Sequence, residues 1–263
     1  MHAFKYHRPS SVNDASALAK GEARLLAGGQ SLVQAMKLRL SSPTDLIDLG
    51  TIKDLAGIKV SASEVSIGAM TRHAEVANSA EVKKAIPALA ALAGMIGDRQ
   101  VRAMGTIGGS LANNDPAADY PAAALGLGAT IATNKRKIAA DDFFKGMFET
   151  ALQPGEVITS VSFPVPRRAG YTKFKNQASR FAIVGVFVTD SASGTRVAVT
   201  GAGPCVFRQK DMEKALSAKF DPSSVASIKQ KADGLNSDLH ASAEYRAHLV
   251  SVMAKRAVEA AVK

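Results

Sequence analysis

Thr106-Ile107-Gly108-Gly109-Ser110-Leu111-Ala112-Asn113-Asn114-Asp115-Pro116-Ala117-Ala118-Asp119 is the stretch on which the reading of this chain turns. Its adjacent glycines are flanked by hydroxyl residues. Without a Cβ the backbone can approach a ligand closely, and successive N–H groups in such a turn form an anion-binding nest. The run Asn113–Asp119 begins too polar for a core. It reads as a capped turn into a helix, with Asp115 as N-cap and Pro116 in the first turn. It reads equally as a hydrogen-bonding edge for a sugar or heterocycle beside the loop.

The same chemistry occurs earlier, in Ala27-Gly28-Gly29-Gln30-Ser31-Leu32. The apolar run Arg24–Ala27 before it predicts a strand ending in a tight turn. Leu32, Ala35, Met36 and Leu40 then recur at helical spacing. Ser31 stands where a helix would begin, and a helix N-terminus favours phosphate. Two such loops suffice to grip both phosphates of a pyrophosphate.

Working outward, Asp45–Leu49 and Glu64–Ala69 alternate like strands. Residues 87–96 predict a helix, with Pro87 in its first turn and Leu89, Leu92, Ala93 and Ile96 as its apolar stripe. An alanine-rich helix is expected within Pro116–Gly128, and strands at Ala129–Thr133 and Val157–Phe163. Pro164-Val165-Pro166-Arg167-Arg168-Ala169-Gly170 breaks regular structure and marks the boundary. Beyond it, Phe181–Thr189 and Thr195–Thr200 read as hairpin strands. Helices are expected over 210–218, 222–233 and 243–262, the last with Tyr245, Leu249, Val252 and Met253 as its stripe. The pattern is α+β throughout: a nucleotide-binding part over 1–168, then a smaller module over 169–263.

Composition narrows the function. The 263 residues are 46% hydrophobic and 21% charged, as in globular proteins. No apolar run is long enough to cross a membrane, and Met1–Pro9 lacks a signal-peptide pattern, so a cytoplasmic protein is expected. Cys205 is the sole cysteine, which excludes an internal disulfide, a cysteine-rich zinc site or a cysteine-ligated iron–sulfur cluster held by this chain. His2, His7, His73, His240 and His248 show no zinc-protease spacing, and no metal site is expected. Redox chemistry here would need an organic cofactor. The net charge of +10 is spread along the chain, and Lys135-Arg136-Lys137 reads as a solvated turn. This favours an anionic ligand or an acidic partner surface over nucleic acid. Gly126-x-Gly128 and Gly201-x-Gly203 fail the dinucleotide fingerprint, and no P-loop or nucleophile elbow is present.

The paired glycine motifs, with Phe4–Pro9, Asp98-Arg99-Gln100-Val101-Arg102 and Ser179-Arg180-Phe181-Ala182, resemble the FAD-binding medium subunit of molybdenum hydroxylases. That is the family of xanthine dehydrogenase and aerobic carbon monoxide dehydrogenase medium subunits. The resemblance covers nearly the whole chain. It implies a vanillyl-alcohol-oxidase/PCMH-type FAD-binding domain of two subdomains, about 1–55 and 56–168, followed by a C-terminal domain over 169–263. It places Ala27, Gly28, Gly29, Gln30, Ser31, Leu32, Thr106, Ile107, Gly108 and Gly109 around the FAD pyrophosphate. Asn113 and Asp119 are implied at further polar contacts, Ile96 near the adenine, and Ile158 and Lys175 on the flavin side. A cation such as Lys175 near the ring favours an anionic reduced flavin; its other reading is a solvated strand lysine.

Three departures qualify the resemblance. Phe181 falls where carbon monoxide dehydrogenase medium subunits carry a tyrosine near the flavin, and Gln30 where they often carry histidine. The lone Cys205 excludes the benzoyl-CoA reductase branch, whose subunit holds its own cluster. The implied function is an electron-transfer oxidoreductase subunit with no catalytic acid, base or nucleophile. FAD would receive electrons from a [2Fe–2S] small subunit served by a molybdopterin large subunit, in a dimer of heterotrimers. The external acceptor would be NAD+, a quinone or oxygen. The rival readings are a free-standing FAD-dependent oxidase and a non-catalytic nucleotide-binding or nucleic-acid-binding module.

Overall fold

The computed structural model describes residues 1–262. Three larger sheets follow one another along the chain, and a two-stranded hairpin, Phe144–Gly146 with Glu149–Thr150, lies within the span of the second. The first is parallel and three-stranded, with Asp45–Asp48 between Lys5–His7 and Arg24–Leu26. The helices Val12–Leu18 and Leu32–Lys37 make its crossovers, as parallel pairing requires. Ser11 caps the first of these, accepting the Asp14 N–H. Ala15, Ile47, Leu49, Ile52, Leu55 and Val157 form a small core beneath this sheet.

The second sheet is antiparallel, in the order Ile58–Val60, Glu64–Gly68, Ile158–Pro164, Thr130–Thr133, Lys137–Ala139. Val65, Ile67, Val161 and Phe163 face a core shared with the helices Pro87–Gly94, Ile107–Asn113 and Tyr120–Leu127. Glu156 is fully enclosed at its edge. Arg136 binds it through Nε at 2.9 Å and Nη2 at 3.1 Å, Thr133 Oγ1 donates at 2.8 Å and the Gln153 N–H at 2.8 Å. These bonds, that to Arg136 foremost, hold the Glu156 carboxyl down to about 2. Lys135-Arg136-Lys137 is therefore not merely a solvated turn: its central residue locks a buried carboxylate.

The third sheet is a meander of Arg168–Lys175, Ala182–Ser191, Gly194–Thr200 and Phe207–Arg208. The helix Ala243–Ala261 crosses it, burying Leu249, Val250, Met253 and Ala257. The approach is close because Gly170 has no side chain; a Cβ there would overlap the Ala257 carbonyl oxygen. The stripe differs from the expected one, since Tyr245 is exposed and Arg246 is buried. Asp141 ties this sheet to the preceding part, pairing with Arg196 at 2.7 Å and Arg208 at 3.0 Å.

Several expected elements are redrawn. The helix after the first glycine loop ends at Lys37, leaving Leu38 and Leu40 exposed, because Arg39 turns left-handed. Pro222–Ala226 replaces the helix expected over 222–233. The second glycine loop does not remain a loop: Ile107–Asn113 is a helix, with Thr106 as N-cap. No helix among the described residues is long and apolar enough to cross a membrane.

Candidate functional site

Strand Arg24–Leu26 ends, Gly29 adopts φ +72°, and the chain enters the helix Leu32–Lys37. Among the described residues the N–H groups of Gly29, Gln30 and Ser31 have no acceptor. Ser31 makes no capping bond either. Gln30 folds its side chain back, Nε2 donating to the Gly28 carbonyl at 3.2 Å. Consecutive unengaged N–H groups beside a hydroxyl are a ready anion site.

The second loop is built differently, and the expectation of a matching nest fails there. The Ile107 N–H donates to Thr71 O at 3.1 Å and the Gly108 N–H to Ala69 O at 2.8 Å. The Gly109 N–H donates to Thr106 Oγ1 at 3.2 Å. The glycines serve packing as well: a Cβ on Gly108 would overlap Ala69, and one on Gly28 would overlap the backbone of Met104 and Gly105. Gly28 and Gly108 are thus glycine at least because each admits another piece of backbone. The result still serves a site, because the two loops touch and present one edge, with Gly109 and Ser110 half-exposed. His73 braces this edge from below. Its backbone N–H donates to Gly105 O at 2.9 Å, and its ring lies 5.3 Å from that of Tyr120. Burial pushes His73 down to about 4, with Arg102 adding to the effect, so the imidazole is neutral at pH 7.

Past Asn113, which is half-buried, Asn114 takes a left-handed conformation and ends the helix. Asp115 is not a helix N-cap: it accepts the Ala117 N–H at 2.8 Å, and the next helix starts at Tyr120 with Pro121 in its first turn. Pro116 cannot be its N1 residue, because Asp115–Ala118 form a separate turn closed by Ala118 N–H to Asp115 O. Asp119 is 3% exposed and is held inside the protein. Tyr171 Oη donates to its Oδ1, and Lys173 Nζ approaches at 2.9 Å. Burial raises the Asp119 carboxyl, and Lys173 and Tyr171 oppose the rise.

Lys173 went unnoticed in the sequence, although it shares a strand face with Tyr171 and Lys175. Its ammonium also donates to Met95 O at 3.0 Å and Arg180 O at 2.9 Å. Lys175, by contrast, is exposed at the strand end. Ile96 is half-buried and its carbonyl accepts Arg102 Nη1 at 2.9 Å. Ile158 is a core residue, 5% exposed, opposite Thr133 in the central sheet. The structure thus joins Ala27–Leu32 to the 104–109 backbone, and sets Asp119 and Ile158 within the protein interior.

Residues 2–166 match the model of the FAD-binding domain in molybdopterin dehydrogenase. The chain belongs to this family of flavoprotein subunits. Residues 169–261 match the C-terminal domain of CO dehydrogenase flavoprotein. The carbon monoxide dehydrogenase medium chain of Afipia carboxidovorans is 36% identical, the match covering 98% of this chain and 96% of that one. The nicotine 6-hydroxylase medium subunit of Paenarthrobacter nicotinovorans is 34% identical, covering 97% and 96%. A reconstituted CO dehydrogenase from Oligotropha carboxidovorans superposes with a TM-score of 0.91 at 35% identity, covering 99% and 98%. Quinoline 2-oxidoreductase from Pseudomonas putida gives 0.90 at 30% identity, covering 99% and 97%. This flavoprotein is an oxidoreductase subunit of the molybdenum-hydroxylase type, with the α+β fold its sequence predicts.

Proposed function

We propose that this chain relays electrons within a molybdenum hydroxylase, from a [2Fe–2S] small subunit to an external acceptor. Residues 1–168 would bind FAD, residues 169–263 would complete the flavin side, and a molybdopterin large subunit would complete a heterotrimer that pairs into a dimer, in the cytoplasm. The observation that carries the cofactor reading is the touching pair of loops. The N–H groups of Gly29, Gln30 and Ser31 are unengaged, and the loop that carries them touches the segment holding the half-exposed Gly109 and Ser110. That donor set fits a pyrophosphate.

Bound FAD supplies the redox chemistry: it takes up electrons from one partner and returns them to another. This chain's residues hold and tune it. Ala27–Leu32 would hold the phosphates through its unengaged N–H groups, Thr106–Gly109 would shape the edge beside them, and Ile96 would cover the adenine side. Asn113 would hydrogen-bond the cofactor, and Ile158 would support the flavin side through the core. Lys175, exposed at its strand end, would place a positive charge near the ring. Asp119 would act through the segment it anchors, since its carboxylate is taken by Tyr171 and Lys173.

The test is reconstitution. The purified chain mixed with FAD and desalted should stay yellow with near-stoichiometric flavin, and tagged chain should co-purify an iron–sulfur and a molybdopterin subunit from its native cells. A colourless chain that takes up no FAD would overturn the reading.

A further inference from the structure

Lys173 stands where the two parts of the molecule meet. An ammonium has three N–H donors, and here each finds its own acceptor: the Asp119 carboxylate at 2.9 Å, Met95 O at 3.0 Å and Arg180 O at 2.9 Å. A buried ion pair contributes no more to stability than packed apolar residues of the same volume. What this one adds is position, because two of its three acceptors are backbone carbonyls of separate segments.

The first segment is 95–97. It leaves the helix Pro87–Gly94, which is anchored in the core by Leu89, Leu92 and Ala93. Three successive carbonyls here each face a cation. Met95 O accepts from Lys173, and Ile96 O accepts Arg102 Nη1 at 2.9 Å. Gly97 O accepts that same nitrogen at 3.1 Å and Arg180 Nη1 at 3.4 Å. Cations suit the negative end of a helix. Asp98 then caps the helix Arg99–Met104, its Oδ1 accepting the Val101 N–H at 2.8 Å. No residue of that helix is buried, so its two ends place it rather than packing along its length. One end is the 95–98 segment, and the other is Met104 and Gly105 against Gly28. A displacement of 95–97 is therefore passed to both glycine loops.

The second segment is the turn between strands Arg168–Lys175 and Ala182–Ser191. It closes on itself: the Asn176 N–H donates to Phe181 O at 2.8 Å and the Arg180 N–H to Asn176 O at 2.9 Å. Asn176 Oδ1 accepts the Ala178 and Ser179 N–H groups at 2.9 and 3.1 Å. Arg180 takes φ +63°, which a non-glycine residue keeps only where its surroundings enforce it. Lys173 on the Arg180 carbonyl supplies that enforcement. The ladder also shifts register between Phe174 and Lys175, an irregularity that re-aims side chains. Tyr171 and Lys173 are buried, whereas Lys175 is exposed at the mouth of the turn.

We propose that Lys173 is the positioning residue of the cofactor site: it clamps the 176–181 turn on the flavin side to the 95–97 segment on the adenine side and, through helix Arg99–Met104, to the glycine loops. This rests on the flavin-relay reading above. The three donors of Lys173 are taken by protein acceptors, so it acts on FAD through Lys175, Ile96 and the loops. The C-terminal part then governs phosphate binding without supplying a phosphate ligand.

The experiment titrates the full chain with FAD, followed by flavin fluorescence, and measures the midpoint potential of the bound flavin. Lys173→Met should weaken FAD binding roughly tenfold or more. It should also lower the potential by about 30 mV, the tenfold change for two electrons, as Lys175 loses its fixed place. Lys173→Arg keeps a cation with enough donors for the same three acceptors and should restore both. Lys173→Met combined with Asp119→Asn leaves no stranded charge, so it should fold where the single variant does not, and still bind FAD weakly. The control is Asp141→Asn, which breaks the other tie between the two parts, to Arg196 and Arg208. It should lower the melting temperature and leave FAD affinity and potential as in the parent. A parent chain that takes up no FAD overturns the relay reading itself. With a yellow parent, a double variant of parental FAD affinity overturns the clamp alone, as does a Lys173→Arg chain no better than Lys173→Met. So does Asp141→Asn weakening FAD as much as Lys173→Met, which would make Lys173 one structural tie among others.

Discussion

Replacing Lys173 with Met tests the node that joins the two parts of the chain. The Lys173 and Asp119 side chains are 2% and 3% exposed, so neither can turn to water when its partner goes. Breaking a buried ion pair from one side costs about 3–5 kcal/mol, because the surviving charge is stranded. Here the Met95 and Arg180 carbonyls lose their donor as well. Against a total of about 5–15 kcal/mol this is a large fraction. At about 2–4 °C per kcal/mol it lowers the melting temperature by roughly 6–20 °C. The chain has no tryptophan, so urea unfolding is followed by circular dichroism. Burial already raises the Asp119 carboxyl, and Lys173 opposes the rise. In Lys173→Met that opposition is gone. The native state then holds the Asp119 proton more tightly than the unfolded chain does, and stability of the variant falls as pH rises through the carboxylate range. Adding Asp119→Asn removes the stranded charge and should recover most of the loss. A single variant within about 1 kcal/mol of the parent, or a double variant no better than the single, would refute the argument.

Glu156 is held down to about 2 from 4.5, so its contribution is complete above pH 4.5 and disappears as pH falls towards 2. Allowing for the half-exposed Arg136, that is about 2 kcal/mol, and Glu156→Gln should flatten this part of an acid melting series. His73 is pushed down to about 4 from 6.5, so stability is lost as pH falls through that interval. His73→Leu should remove the dependence there, as measured by urea midpoints at each pH. Gly28→Ala, whose Cβ meets the Met104 carbonyl, should destabilise more than Gly29→Ala, whose Cβ meets only the end of the Val33 side chain at 3.0 Å and whose φ of +72° costs about 1–2 kcal/mol. The reverse order in thermal melts would show that the loops do not touch.

Much of the fold was legible because its signals are local. Alternation in 64–69 and the Pro87 helix start needed only neighbouring residues, and the structure has Glu64–Gly68 and Pro87–Gly94. The glycine-rich segment misled in one respect. Glycine, serine and asparagine are weak helix formers, yet Thr106 caps 107–113 and Leu111 and Ile107 are fully buried, so tertiary packing overrides propensity. Residues 222–233 failed in the other direction, since Lys229, Lys231 and Asp233 supply no apolar face to anchor a continued helix. Lys173 was invisible for a different reason. A strand lysine is ordinarily solvated, and only the arrival of Asp119 and Met95 from two distant segments, with Arg180 from the adjoining turn, makes it an interior residue. The role of Arg136 was hidden in the same way, because its partner Glu156 comes from another strand connection.

The contact of Gly28 with Met104 and Gly105 has a consequence for how such a chain can change over time. Two segments that carry separate motifs in the sequence form one unit of variation. A side chain gained at position 28 must be matched by a retreat of the 104–105 backbone, and an insertion after Val101 must be matched by a reshaped first loop. Grafting either loop alone into another protein would transfer its residues without its shape, so an engineer moving this site should move 24–32 and 101–110 together.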